Sequence, residues 1–208
     1  MFMINKHIGI MGGTFDPIHI GHLLAAEMAK EAGKLDAVWF LPTYHPPHKH
    51  HKMGASAEAR KRMVKLAIAD VDYFHLELME LERGGISYSI DTAIQLTQLY
   101  PDVRFTWIIG GDMAQYLPQW VRIEELVQYV SFLGLTRPGY AYECSLLPEF
   151  IRDRVLYHEM PSLDISSTMI RERVRAGRSI RYLTPDAVRY YIEQEGLYQG
   201  ARGNDEVR

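Results

Sequence analysis

Hydrophobic positions in this chain alternate between two spacings, and each switch marks a boundary between a short strand and a helix. His7 to Met11 is a compact apolar run closed by Gly12-Gly13, which predicts a first strand. From about Gly21 to Ala32 the spacing lengthens. Leu24, Ala25, Met28 and Ala32 then share one helical face, and Gly33 suits a C-terminal cap. Ala37 to Leu41 predicts a second strand, stopped by Pro42. A helix is predicted from about Ser56 to Asp70, with Met63, Val64, Ala67 and Ile68 on its apolar face. Tyr73 to Leu78 alternates like a strand, and Ser89 to Leu99 reads as a helix halted before Pro101. Val103 to Ile109 is a strongly apolar strand ended by Gly110-Gly111. A short helix, Glu124 to Tyr129, leads into a strand from Val130 to Leu135. Arg137 to Arg152 reads as irregular, Val155 to Glu159 as a last strand, and Ser167 to Ala176 as a helix closed by Gly177. Thr184-Pro185 predicts a helix start, with threonine as N-cap and proline in the first turn, running to Glu195.

Strands alternating with helices predict an α/β fold, a doubly wound, mainly parallel sheet with helices on both faces. Such sheets bind ligands at the carboxyl ends of their strands, where both double-glycine loops should open. No repeat or composition break divides the chain. The expectation is one domain over residues 1–199, its C-terminal helical part at about 166–199, with a polar, disordered tail at 200–208. The segment from Pro42 to Ser56 holds three prolines, four histidines and two lysines, and is long enough to expect a functional loop.

Composition narrows the function. With 47% hydrophobic and 24% charged residues, the 208-residue chain can bury an ordinary globular core. A formal charge of -3 argues against a general nucleic-acid binder but leaves room for a local anion site. The one cysteine, Cys144, excludes an internal disulfide and reads as a bystander thiol in a reducing, cytoplasmic setting. No signal-peptide pattern and no apolar run of about 18 residues is present, so no membrane association is expected.

The most informative stretch is Gly12-Gly13-Thr14-Phe15-Asp16-Pro17-Ile18-His19-Ile20-Gly21-His22. Paired glycines admit a ligand close to the backbone, and the helix that follows offers unpaired N–H groups to an anion. His19 and His22 can donate hydrogen bonds to phosphate oxygens. They could also begin a zinc site, but no further ligand stands at a typical spacing. The stretch is neither G-x-G-x-x-G nor G-x-x-x-x-G-K-[ST], which disfavours a simple dehydrogenase or a P-loop kinase. A second stretch, Ile165-Ser166-Ser167-Thr168-Met169-Ile170-Arg171, is open to two readings. It is either an ordinary capped helix start or a second phosphate clamp of hydroxyls and a guanidinium.

Gly13 to Pro17 with His19 and His22 resembles the T/H-x-G-H signature of the nucleotidyltransferase superfamily. Ile165 to Arg171 is similar to the I-S-S-T-x-I-R signature of the same superfamily. Four further stretches resemble the bacterial nicotinate mononucleotide adenylyltransferases. They are Leu41-Pro42 with Pro46-Pro47-His48-Lys49; Ser87-Tyr88-Ser89 with Asp91-Thr92; Ile109 to Asp112; and Leu117 to Trp120. The resemblance runs from about residue 8 to 198 and implies a Rossmann-like sheet. It implies transfer of the adenylyl group of ATP to nicotinate mononucleotide, with release of pyrophosphate. By resemblance, Gly12, Gly13, Thr14, Phe15, His19, His22, Ser167, Thr168 and Arg171 bind ATP. Of these, His19, His22 and Arg171 serve the reacting phosphates. Mg²⁺ accompanies ATP, with no direct protein ligand.

Lys49, Ser89, Asp112, Trp120 and Val121 are the implied mononucleotide residues. Trp120 offers a flat face to a pyridine ring, or fills core. Asp112 binds ribose hydroxyls or magnesium-bound water, or caps a helix. Lys49 meets a phosphate, or is a solvated lysine. The neighbouring His45, His48, His50 and His51 are a chance cluster or a metal site. Ser89 replaces a frequent threonine and Val121 a frequent aromatic, but in both places the family uses backbone amides. Arg137 matches the family as a structural or phosphate-side residue. Three alternatives stay open: another phosphorylated acceptor (nicotinamide mononucleotide or phosphopantetheine), a cytidylyl donor, and a non-catalytic nucleotide-binding module. The resemblance is compatible with a monomer or a homodimer.

Overall fold

The computed structural model describes residues 5–47, 54–139 and 147–199. Among these residues six strands form one sheet: β1 (His7–Gly13), β2 (Ala37–Pro42), β3 (Phe74–Leu76), β4 (Arg104–Gly110), β5 (Val130–Thr136) and β6 (Val155–Glu159). Their order is β3-β2-β1-β4-β5-β6, and every pairing is parallel, where the sequence suggested only a mainly parallel sheet. The connections are α1 (Ile20–Ala32), α2 (Ala57–Ala67), α3 (Met79–Arg83), α4 (Ser89–Leu99), α5 (Gly111–Ala114), α6 (Ile123–Tyr129), α7 (Glu149–Arg152), α8 (Ser167–Arg175) and α9 (Asp186–Gln194).

Period-two alternation divides the core. Val38, Phe40, Leu133 and Leu135 point to one face of the sheet, where they meet α1, α2, α8 and α9. Trp39, Leu41, Phe105, Trp107 and Phe132 point to the other, toward α4, α6 and α7. Both faces of β2 are covered, so its six residues are all buried and read as a continuous apolar run. The chain order reverses between β1 and β4, the two strands that carry the double glycines. Their carboxyl ends therefore open on one crevice.

Several local expectations change. The face of α1 is rotated: Ala26 and Ala29 are fully buried, with Leu23, Ala25 and Ala32 beside them, because small side chains let the helix lie close to the sheet. At its end Gly33 is right-handed, and Lys34 takes the positive φ of 48°. The strand expected to reach Leu78 stops at Leu76, because Glu77 accepts the Leu78 and Met79 N–H groups and starts α3. The segment read as irregular contains α7. Thr184 is not an N-cap; its hydroxyl donates to the Ile18 carbonyl at 2.8 Å, and extended Pro185 precedes the helix. Lys49, His48, His50, His51, Cys144 and the 200–208 tail lie outside the described residues.

Candidate active site

The loop between β1 and α1 is held by its own strained backbone and by distant side chains. Phe15 adopts a left-handed φ of 48°, rare for a bulky residue, with its ring buried beneath Gly13. His19 is the extended residue that precedes α1. Its backbone N–H donates to Nδ1 of His22 at 3.2 Å, and the two rings stack at 3.7 Å. With Nδ1 accepting, neutral His22 carries its proton on Nε2, which makes that nitrogen the donor. His19 is only 6% exposed, and burial lowers its pKa to about 4. It is neutral at ordinary pH and packs under the loop.

The two motifs meet. Ser167 Oγ donates to the Pro17 carbonyl at 2.8 Å, and Arg171 Nη1 to the Asp16 carbonyl at 2.7 Å. Arg171 Nη2 reaches Thr168 Oγ1 at 3.1 Å, and Ser166 caps α8 by accepting the Met169 N–H. The Ile20 N–H donates to the Leu183 carbonyl at 3.0 Å. The buried Asp16 carboxylate accepts the Gly54 and Ala55 N–H groups at 2.8 and 3.1 Å and the Tyr198 hydroxyl at 2.7 Å. Burial, then the Asp16 charge, pushes the Tyr198 hydroxyl pKa upward, so it remains a donor.

Two clefts flank the end of β1. The first, about 600 Å³, is lined by Gly12, Gly21, His22, Asp112, Thr136, Arg137 and the segment from Met160 to Leu163. The second, about 380 Å³, is lined by Gly12, Gly13, Thr14, Thr43, Ser87, Tyr88, Ser89, Trp120 and Val121. Gly12 and Ile108 to Gly110 border both, so ligands in the two clefts approach each other across one ridge. Each volume suits a nucleotide-sized ligand.

The expected residues sort among these places. Ser89, Trp120 and Val121 come together, whereas Asp112 falls on the His22 side. Ser89 begins α4, whose first N–H groups have no helical partner, and the Val121 side chain is 47% exposed. Trp120 sets its ring edge-to-face against Phe132 at 6.0 Å, which fixes its plane. Phe15, His19, Ser167, Thr168 and Arg171 border neither cleft; they support the loop from below and behind. Glu80, 3% exposed, stands in the second wall; its Oε1 accepts the Thr92 hydroxyl at 2.8 Å, and burial raises its pKa.

Comparison with known proteins places the chain. Residues 10–173 match the cytidylyltransferase-like family. Over 195 residues, covering 94% of this chain and 87% of the other, it is 50% identical to a Geobacillus kaustophilus protein described as "Probable nicotinate-nucleotide adenylyltransferase". A Bacillus cytotoxicus protein of the same description is 47% identical over 194 residues, covering 93% and 99%. The chain belongs to the nicotinate-nucleotide adenylyltransferase family. The fold matches a Plasmodium falciparum nicotinic acid mononucleotide adenylyltransferase solved with NaAD, with a TM-score of 0.76 at 22% identity over 93% of this chain and 97% of that one. The same parasite protein solved with APC gives 0.75 at 20%, again over 93% and 97%.

Several residues that line these clefts or brace the loop between β1 and α1 were missed in the sequence: Arg60, Glu80, Thr184, Tyr198 and the Met160–Leu163 wall. Arg60 alone left a signal. It shares helical spacing with Met63, Val64 and Ala67, a cation on an otherwise apolar stripe.

Proposed function

We infer that this chain transfers the adenylyl group of ATP to nicotinate mononucleotide, giving nicotinate adenine dinucleotide and pyrophosphate in NAD biosynthesis. The observation that carries the reading is the pair of clefts joined along Gly12 and the β4 end, which suits two nucleotides reacting at their phosphates. ATP occupies the His22 cleft, and the mononucleotide occupies the Trp120 cleft. A phosphate oxygen of the mononucleotide attacks the α-phosphorus, the α–β phosphoanhydride bond breaks, and pyrophosphate leaves with its electrons. The nucleophile is already an anion, so the protein's contribution is positioning and charge stabilisation, with no covalent enzyme intermediate.

In this reading the His22 Nε2–H stabilises charge on the transferred phosphate, and the positive end of the α1 dipole adds to it. Arg171 holds the Asp16 carbonyl and, from behind the loop, adds positive charge for the leaving pyrophosphate. Thr168 and Ser167 set that guanidinium and the loop in place. Trp120 stacks on the pyridine ring. Its carboxylate takes the amides near Ser89 and Val121. Lys49 belongs to the acceptor side, and Asp112 to a ribose at the His22 cleft. Mg²⁺ comes with the triphosphate. Among the described residues no group of three His, Cys, Asp or Glu side chains is gathered to hold an ion.

The chain works as one domain over residues 1–199, in the cytoplasm, as a monomer or homodimer, with small molecules as its partners. No helix among the described residues is long and apolar enough to cross a membrane. Pyrophosphate release measured with ATP or CTP against nicotinate mononucleotide, nicotinamide mononucleotide and phosphopantetheine tests the reading. Greatest kcat/KM with ATP and nicotinate mononucleotide is expected; preference for another pair would overturn it.

A further inference from the structure

We propose that Arg60 is a positioning residue for the acceptor's phosphate, orienting the loop peptides at the mouth of the Trp120 cleft and supplying a buried positive charge behind them. The proposal rests on the adenylyl-transfer reading. Arg60 is 1% exposed, and its hydrogen-bond partners among the described residues are backbone carbonyls. Nη1 donates to the carbonyls of Thr14 at 2.8 Å and Thr43 at 2.7 Å, and Nη2 approaches that of Tyr44 at 3.5 Å. Nε has no partner among the described residues. A buried cation so arranged is a poor stabilising device, since apolar residues of similar size usually serve the core as well.

What the guanidinium does is geometric. Thr14 follows β1, Thr43 follows β2, and both border the Trp120 cleft but not the His22 cleft. A trans peptide is planar, so drawing a carbonyl toward Arg60 turns the next N–H the opposite way. For Thr43 that N–H belongs to Tyr44, and it lands on Ser87 Oγ at 3.0 Å, joining two walls of the cleft. For Thr14 it belongs to Phe15, whose left-handed φ of 48° is a conformation that the Arg60 bond to Thr14 helps to hold. The charge is the second contribution. The carboxylate that acts on Arg60 is Asp16, and the raised pKa of Tyr198 keeps its hydroxyl neutral. Arg171, on the Asp16 carbonyl, is a second cation at the same loop, so two positive charges stand against one negative and positive potential remains for an acceptor phosphate seated against Thr14 and Thr43.

Arg60→Met removes fork and charge; Arg60→Lys keeps the charge and loses the fork. KM for nicotinate mononucleotide is expected to rise about tenfold in Arg60→Met, the scale of one charge-assisted contact, and severalfold in Arg60→Lys. KM for ATP should stay within about twofold of wild type, because the fork does not border the ATP cleft. Simple destabilisation lowers kcat with the folded fraction, followed by circular dichroism, and moves neither KM. An unchanged acceptor KM in a folded form of either variant overturns the proposal. Absence of transfer by the wild-type chain would instead remove the underlying functional reading.

Discussion

A neighbour's backbone sets the tautomer of neutral His22: the His19 N–H occupies Nδ1 and makes Nε2 the donor. Loss of one preorganised donor of this kind costs about 10²–10³ in turnover. His22→Ala should therefore fall about 10²-fold or more in kcat while keeping its circular dichroism spectrum; near-normal turnover would remove the imidazole from the chemistry. His19 predicts a pH effect on stability instead. Its pKa falls from 6.5 in the unfolded chain to about 4 in the fold, so the unfolded state binds the extra proton between those values. Stability from this group is complete above pH 6.5 and is lost as pH falls toward 4, in total roughly 3 kcal/mol. Thermal melts across pH 4–7 should fall more steeply toward pH 4 in wild type than in His19→Asn, which keeps only the slope of other groups such as His7, whose pKa burial also lowers. At this scale the motifs singled out His19, His22 and Arg171 but not where each would stand. Burial separates a histidine that faces the cleft from one that packs beneath it, and residue type alone carries no burial.

Among the elements, the glycines at the strand ends make a paired prediction. A Cβ on Gly111 would stand 2.5 Å from Thr136 Cγ2 and 3.1 Å from the Leu135 carbonyl oxygen, so α5 lies directly on β5. Gly111→Ala should cost about 1–3 kcal/mol of overpacking, read as a lower Tm. Gly12 has open space where a Cβ would go and borders both clefts. Gly12→Ala should melt like wild type yet bind both nucleotides weakly; the reverse ranking of the two variants would refute the packing argument. Elements buried on both faces, such as β2 and β4, were plain in the sequence, because a short, unbroken apolar run between turn residues suits a strand covered on both sides. The helices α3, α5 and α7 were not, since four or five residues are too few to display a 3.6-residue period. Thr184 misled for a related reason. A hydroxyl before a proline is an ordinary cap, and only the tertiary fold brings the Ile18 carbonyl near enough to take the bond instead.

For the whole molecule, the test lies in how the two clefts respond to ligands. Anything that binds the folded state raises Tm by mass action. ATP should raise it equally in wild type and Trp120→Ala, whereas nicotinate mononucleotide should raise it less in the variant. The loss of a ring stack, about 1 kcal/mol, sets the size of that difference. Equal responses to the mononucleotide would place it elsewhere. That both double-glycine turns open at the carboxyl edge of the sheet was legible in the sequence. The supports of the ridge were not, because Arg60, Arg171, Thr184 and Tyr198 grip the same loop from separate helices and turns, at separations no local pattern encodes.

The bond from Tyr198 to Asp16 spans 182 residues. A chain elongating from its N-terminal side makes this loop long before Tyr198 exists to fasten it. The turn between β1 and α1 therefore stays incomplete until the segment after α9 has joined the fold. Any ligand binding that needs the finished turn should follow the docking of that segment and not precede it.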